Sequence, residues 1–194
     1  MAMLSAAELS LGEHVTHLVK LVGWIVTVFL VVAALIDGLK LRVPNWLTFS
    51  MVLSGWMAGG LLFGWEGLGA SLLGTAVGLG LLLPLYAIGG MGAGDVKLLA
   101  GVGAWIGAAG TVWGFVFSAL IGGVLAFVIA SLKKGFWQHQ RELLALFTEV
   151  ITLRNPAVLA AQAAERKPHA VLLPYGIPIA IGCIGYFLIQ GMLV

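Results

Sequence analysis

The chain has 194 residues, of which 61% are hydrophobic and 9% charged, with a mean hydropathy of +1.08 and a formal net charge of +2. Such a composition excludes a soluble globular domain, and so small a charge gives no basis for a nucleic-acid partner. It predicts an all-α integral membrane protein, a single polytopic domain over residues 1–194 with the lipid bilayer as its surroundings.

A membrane span needs about 20 apolar residues, so the chain divides at its charges. Residues 1–19 contain Glu8 and Glu13 but no lysine or arginine. The first apolar run is therefore read as a retained span rather than a cleaved signal. It covers 21–36, reaches back towards Val15 if Lys20 snorkels, and ends at Asp37. A short basic connection, 38–45, carries Pro44, which suits the start of a second helix. Span two is predicted from Trp46 to Trp65, a turn at Glu66-Gly67, and span three over 69–88. Residues 98–132 are 35 uncharged positions, too long for one span at about 1.5 Å per residue. The break is placed in Gly107-Ala108-Ala109-Gly110, giving spans four and five. A sixth span takes Val171 to Leu193.

Between spans five and six, segment 133–170 is the long polar stretch. Leu143, Leu144, Phe147, Val150 and Ile151 fall at helical spacing beside Arg141, Glu142 and Glu149. That pattern fits an amphipathic interfacial helix, or equally one packed on the protein's own spans. With six transmembrane helices, nine of the ten basic residues fall on the side of connections one, three and five, and Lys20 alone opposite. The bias puts Asp37, Asp95 and segment 133–170 on the cytoplasmic side. Pairs such as Gly74 with Gly78 and Gly103 with Gly107 are assigned to close helix packing.

The aspartates of the chain are two, Asp37 and Asp95. Carboxylates at a membrane are costly and mark function. Asp37 ends span one and Asp95 begins span four, so both lie at one depth and can face each other. Two carboxylates sharing a site do not both ionise easily, and they share a proton. One member then activates water while the other protonates a leaving group. Helix ends predict the anion on Asp95 and the shared proton more often on Asp37. The cytoplasmic glycine-rich loop around Gly92 and Gly94 is expected to use backbone conformations closed to other residues and to admit a substrate backbone. The plainer readings are that Asp95 is only a helix cap, that Asp37 only marks a span end, and that Lys97 is a positive-inside residue or a carboxylate partner.

Asp37 with its basic connection and Val43-Pro44-Asn45-Trp46-Leu47-Thr48, then Gly92-Ala93-Gly94-Asp95-Val96-Lys97, then Pro174-Tyr175-Gly176-Ile177-Pro178, resembles the prepilin peptidases of type IV pilus systems. The Gly-x-Gly-Asp element is shared with presenilin-like intramembrane aspartic proteases. The resemblance implies an aspartic endopeptidase of the bacterial inner membrane. It would cleave the short basic leader of prepilins and pseudopilins at the cytoplasmic face, with Asp37 and Asp95 catalytic and Gly92 and Gly94 shaping the site. Lys97 matches the motif without an assigned step. Larger members carry an N-terminal cytoplasmic insertion with paired cysteines and also N-methylate the pilin. That insertion is not seen in this sequence, so methylation does not carry over with the resemblance, and the compact form looks like the peptidases of tight-adherence (Flp/Tad) pili.

The mechanism calls for no metal and no cofactor, and His14, His17, His139 and His169 form no pattern of metal ligands. Two other classes remain, a small ion-coupled transporter and a structural subunit of a secretion assembly. The first predicts carboxylates near the bilayer midplane, the second dispensable ones.

Overall fold

The computed structural model describes residues 2–87, 90–132 and 174–194. Within them the chain is helical: α1 (Ala2–Lys40), α2 (Asn45–Ala87), α3 (Ala93–Leu132) and α4 (Gly176–Ile189). Three of these are long and apolar enough to cross a membrane, over Gly12–Lys40, Asn45–Ala87 and Ala93–Val128. The predicted interfacial helix, in segment 133–170, lies outside the described residues.

Neither α2 nor α3 is straight. Gly64 adopts φ 63° and ψ −146° inside α2, and Gly107 adopts φ 72° and ψ 179° inside α3. Both are conformations that glycine alone enters without strain. In α2 the chain reverses there. Trp56 Nε1 donates to Thr75 Oγ1 at 3.0 Å, although residues that far apart in a straight helix would be separated by roughly 28 Å. The predicted turn at Glu66-Gly67 is thus made two residues earlier. Gly67 instead serves a packing contact, since a methyl group on it would overlap the carbonyl of Gly59 across the hairpin. The second break falls within the predicted glycine-alanine stretch.

In lipid, apolar side chains gain little by leaving an apolar solvent, so close van der Waals fit and interhelical hydrogen bonds hold such a bundle. Here the fit is made by small residues. Gly74 lies against Gly103, Gly78 against the backbone of Leu99 and Ala100, and Gly55 against Ala104. Both small-residue pairs named from the sequence are in these contacts. Trp105 Nε1 adds a hydrogen bond to the Met51 carbonyl at 3.0 Å, and bonds of this kind are worth about 0.6 kcal/mol on average.

The first half of α3 is the centre of the molecule. Leu98, Leu99, Val102 and Ala104 are fully buried on successive faces, and Asp95 is on the first turn of that same segment.

The last helix ends earlier than predicted. Gly191 takes φ 68° while its N–H donates to Leu188 O at 3.2 Å, and Met192 N–H donates to Phe187 O at 2.9 Å. This paired ending is a Schellman motif, which stops α4 at Ile189.

Candidate active site

Asp37 faces inward because α1 stays helical to its end. Over residues 12–40 the buried positions of α1 are Gly23, Val26, Leu30, Ala33 and Asp37. They are three or four residues apart, so the carboxylate continues one helix face. Beyond it, Leu41 takes φ 49° and its N–H donates to the Asp37 carbonyl at 2.7 Å. That left-handed cap satisfies a carbonyl that the helix end would leave unpaired. The side chain of Asp37 is buried, and Oδ2 accepts the backbone N–H of Gly176 at 2.8 Å.

Asp95 is the third residue of α3 and is also buried. Oδ2 accepts the Gly92 N–H at 3.3 Å, and the Asp95 N–H donates to Gly92 O at 3.2 Å. Gly92 is therefore the residue before the helix, and Asp95 reaches back to it as the far half of a capping box. Oδ1 is buried with no hydrogen-bond partner. Leaving such an atom unpaired costs roughly 1–3 kcal/mol. Capping and chemistry thus need not compete, because capping occupies one oxygen and leaves the other.

The structure brings the two carboxylates within electrostatic range of each other, and Tyr175 within range of Asp95. The end of α1, the start of α3 and the start of α4 converge there. The hydrogen bonds run against the helix-end assignment of the proton. The shorter backbone bond goes to Asp37, and the unpartnered oxygen belongs to Asp95.

Gly92 and Gly94 are needed at the site for close packing and not, as expected, for a special backbone conformation. Neither has a positive φ. A methyl on Gly92 would stand 3.2 Å from Asp95 Oδ2, so its absence keeps space beside the carboxylate. A methyl on Gly94 would be 2.9 Å from the Val43 carbonyl, so this glycine lets α3 close on the connection between α1 and α2. Lys97 pairs with neither aspartate. Its Nζ donates to Asn45 Oδ1 at 3.0 Å and lies 5.2 Å from the centre of the Phe49 ring.

The residue that sequence reasoning missed is Gly176. It was visible only as part of the Pro174–Pro178 motif, and its chemistry is a main-chain N–H that every residue but proline carries. Among the described residues no three His, Cys, Asp or Glu side chains are grouped to hold a metal.

An apolar helical protein with a buried carboxylate pair where three helix ends meet is the class of molecule that this fold and site define. Residues 24–127, just over half of the chain, match the type IV leader peptidase family, and the chain belongs to that family. The matched stretch contains Asp37, Gly92, Gly94, Asp95 and Lys97. The chain is also 34% identical over 126 residues to the prepilin leader peptidase/N-methyltransferase of Neisseria gonorrhoeae. That alignment takes in 59% of this chain and 42% of the relative, so the chain spans less than half the length of that curated protein. No solved structure matches.

Proposed function

We propose that the chain is a membrane aspartic endopeptidase that removes the basic leader from type IV prepilins and pseudopilins of the Flp/Tad kind, with Asp37 and Asp95 as its catalytic pair. The observation that carries this reading is that two buried aspartates from different helices lie within electrostatic range of each other, one with an unpartnered oxygen, in a chain of the leader peptidase family. Of the two activities in the relative's name, the peptidase is the one that this pair supports.

The chemistry follows from two carboxyl groups that share a proton. Asp37, with Oδ2 held by a backbone N–H, serves as the base. It takes a proton from water as the water oxygen attacks the scissile carbonyl carbon. Asp95 gives its proton to the carbonyl oxygen, which forms a neutral tetrahedral intermediate. On collapse, the carbonyl oxygen returns its proton to Asp95, the C–N bond breaks, and the leaving nitrogen takes the proton held by Asp37. The Gly92 N–H holds Oδ2 of Asp95, which leaves Oδ1 to give and take this proton.

Topology fits the same reading. Six spans fit the breaks at Gly64 and Gly107, and in that arrangement Asp37 and Asp95 would share one membrane face with Lys40, Arg42 and Lys97. An excess of basic residues marks that face as cytoplasmic in a bacterial inner membrane. A substrate helix would stay in the bilayer with its basic leader in the cytoplasm, and the cut would fall where the aspartates are. A transporter would set its carboxylates near the midplane instead.

The test is cleavage of a co-expressed Flp-type prepilin by wild type, Asp37→Asn and Asp95→Asn at matched membrane levels. Each variant is expected to cleave about a hundred- to ten-thousandfold more slowly with its thermal unfolding unchanged. Undiminished cleavage by a folded variant would overturn the assignment.

A further inference from the structure

α1 meets the other described helices mainly through α4. Midway along it, Gly23 lies against the carbonyl of Met192, just beyond α4, at a spacing that leaves a methyl 2.6 Å from that oxygen. At its end, Asp37 takes the N–H of Gly176. α4 is in turn fastened to α3, the helix that carries Asp95. Ser118 Oγ donates to the Gly114 carbonyl at 2.6 Å and shares that proton with the Ile179 carbonyl at 3.3 Å, a methyl on Gly182 would overlap the Ser118 backbone, and one on Gly114 would stand 3.1 Å from Cys183 Sγ. The placement of one aspartate relative to the other therefore runs through α4.

The contact at its first turn is close and specific. A methyl on Gly176 would lie 2.8 Å from Asp37 Oδ2 and 3.0 Å from Asp37 Cβ. Gly176 does not have a positive φ, so proximity and not backbone conformation requires glycine here. The bond is buried, and it reaches a carboxylate oxygen, where a hydrogen bond is worth more than between neutral groups.

We propose that Gly176 is a positioning residue for the peptidase reaction: its backbone N–H fixes Oδ2 of Asp37 and so aims the carboxylate at the water it activates. This inference rests on the catalytic role proposed for Asp37. The site consequently has three parts, the two aspartates and the first turn of α4.

The most direct test removes the N–H without changing a side chain. Glycolic acid incorporated at position 176 replaces that amide by an ester and leaves every side chain intact. Cleavage of a purified Flp-type prepilin by the detergent-solubilised, monodisperse protein is then measured over a range of substrate concentrations. A hydrogen bond to a charged group is worth about 1.5–3 kcal/mol, so kcat is expected to fall roughly ten- to hundredfold, with KM within about twofold of wild type. Gly176→Ala, which keeps the N–H but crowds Oδ2, is expected to lower kcat at least as far. It decides by the same split should the ester protein not accumulate. Gly185→Ala, on the same helix with open space around it, is expected to match wild type. Wild-type kcat in the ester protein, or a rise in KM alone, overturns the inference. Wild-type cleavage by Asp37→Asn instead overturns the catalytic reading beneath it.

Discussion

Gly74 and Gly103 meet backbone to backbone: a methyl group on either would overlap the carbonyl of the other. This contact joins the second half of α2 to the central half of α3. It allows no relief by rotating a side chain, since both partners are main chain.

Gly103→Ala is therefore expected to destabilise the protein by about 1–3 kcal/mol, the cost of overpacking a close-fitted interior. Gly80→Ala, with nothing within 4 Å of the new methyl, is expected to be neutral or stabilising by up to about 1 kcal/mol. Thermal unfolding in detergent separates the two. Equal midpoints would show that the Gly74–Gly103 contact is not tight in the folded protein.

Much of this architecture was legible, and what escaped did so for physical reasons. Charge-free runs located the helices, and glycine located both breaks. The sequence could not say which glycine turns the chain and which serves a contact. Gly67 was read as the turn, yet Gly64 makes it and Gly67 packs on Gly59. The inward face of α1 was hidden because Val26 and Leu30, buried, are no more apolar than Val28 and Leu35, exposed. In a membrane helix hydropathy does not distinguish core from lipid. Asp37 and Asp95 stood out because carboxylates are rare there, whereas Gly176 acts through its main chain and left no side-chain signal.

The end of α1 carries strain in a residue that ordinarily avoids it. Leu41 has φ 49° and is half exposed, so its side chain contributes little packing that could offset a left-handed backbone. Such a conformation costs a non-glycine residue of order 1 kcal/mol or more. Leu41→Gly is expected to raise stability by roughly that amount, less the greater freedom glycine has in the unfolded chain. Leu41→Ile, β-branched, is expected to lower it. A lowered midpoint for Leu41→Gly in detergent unfolding would mean that the side chain of Leu41 holds more than its exposure implies.

Lys97 lies two residues after Asp95, yet its ammonium is engaged by Asn45 and the Phe49 ring at the start of α2. That placement suits a strut between α2 and α3 rather than a proton donor. Lys97→Met is expected to cost about 1 kcal/mol of stability, the size of one such hydrogen bond and cation–π contact at a partly exposed position. Prepilin cleavage should stay within about tenfold of wild type. A loss of cleavage as deep as that of Asp95→Asn, in protein of normal stability, would assign Lys97 a part in the chemistry.

Gly92 and Gly94 flank Ala93 and face different neighbours, so replacing each should fail in its own way. The methyl of Gly92→Ala would stand 3.2 Å from Asp95 Oδ2, and a few tenths of an ångström of adjustment by the carboxylate relieves it. The fold should survive, while kcat for prepilin cleavage falls because Asp95 has been moved. The methyl of Gly94→Ala would meet the Val43 carbonyl at 2.9 Å and Val43 Cβ at 3.0 Å, atoms that a truncated side chain still carries. Gly94→Ala is thus expected to lose about 1–3 kcal/mol of stability, and adding Val43→Ala should not restore it. Rescue by Val43→Ala would place the conflict in the outer part of the Val43 side chain. Unfolding midpoints for both single variants and the double, measured beside prepilin cleavage, distinguish a glycine that spares a carboxylate from one that lets two helices close.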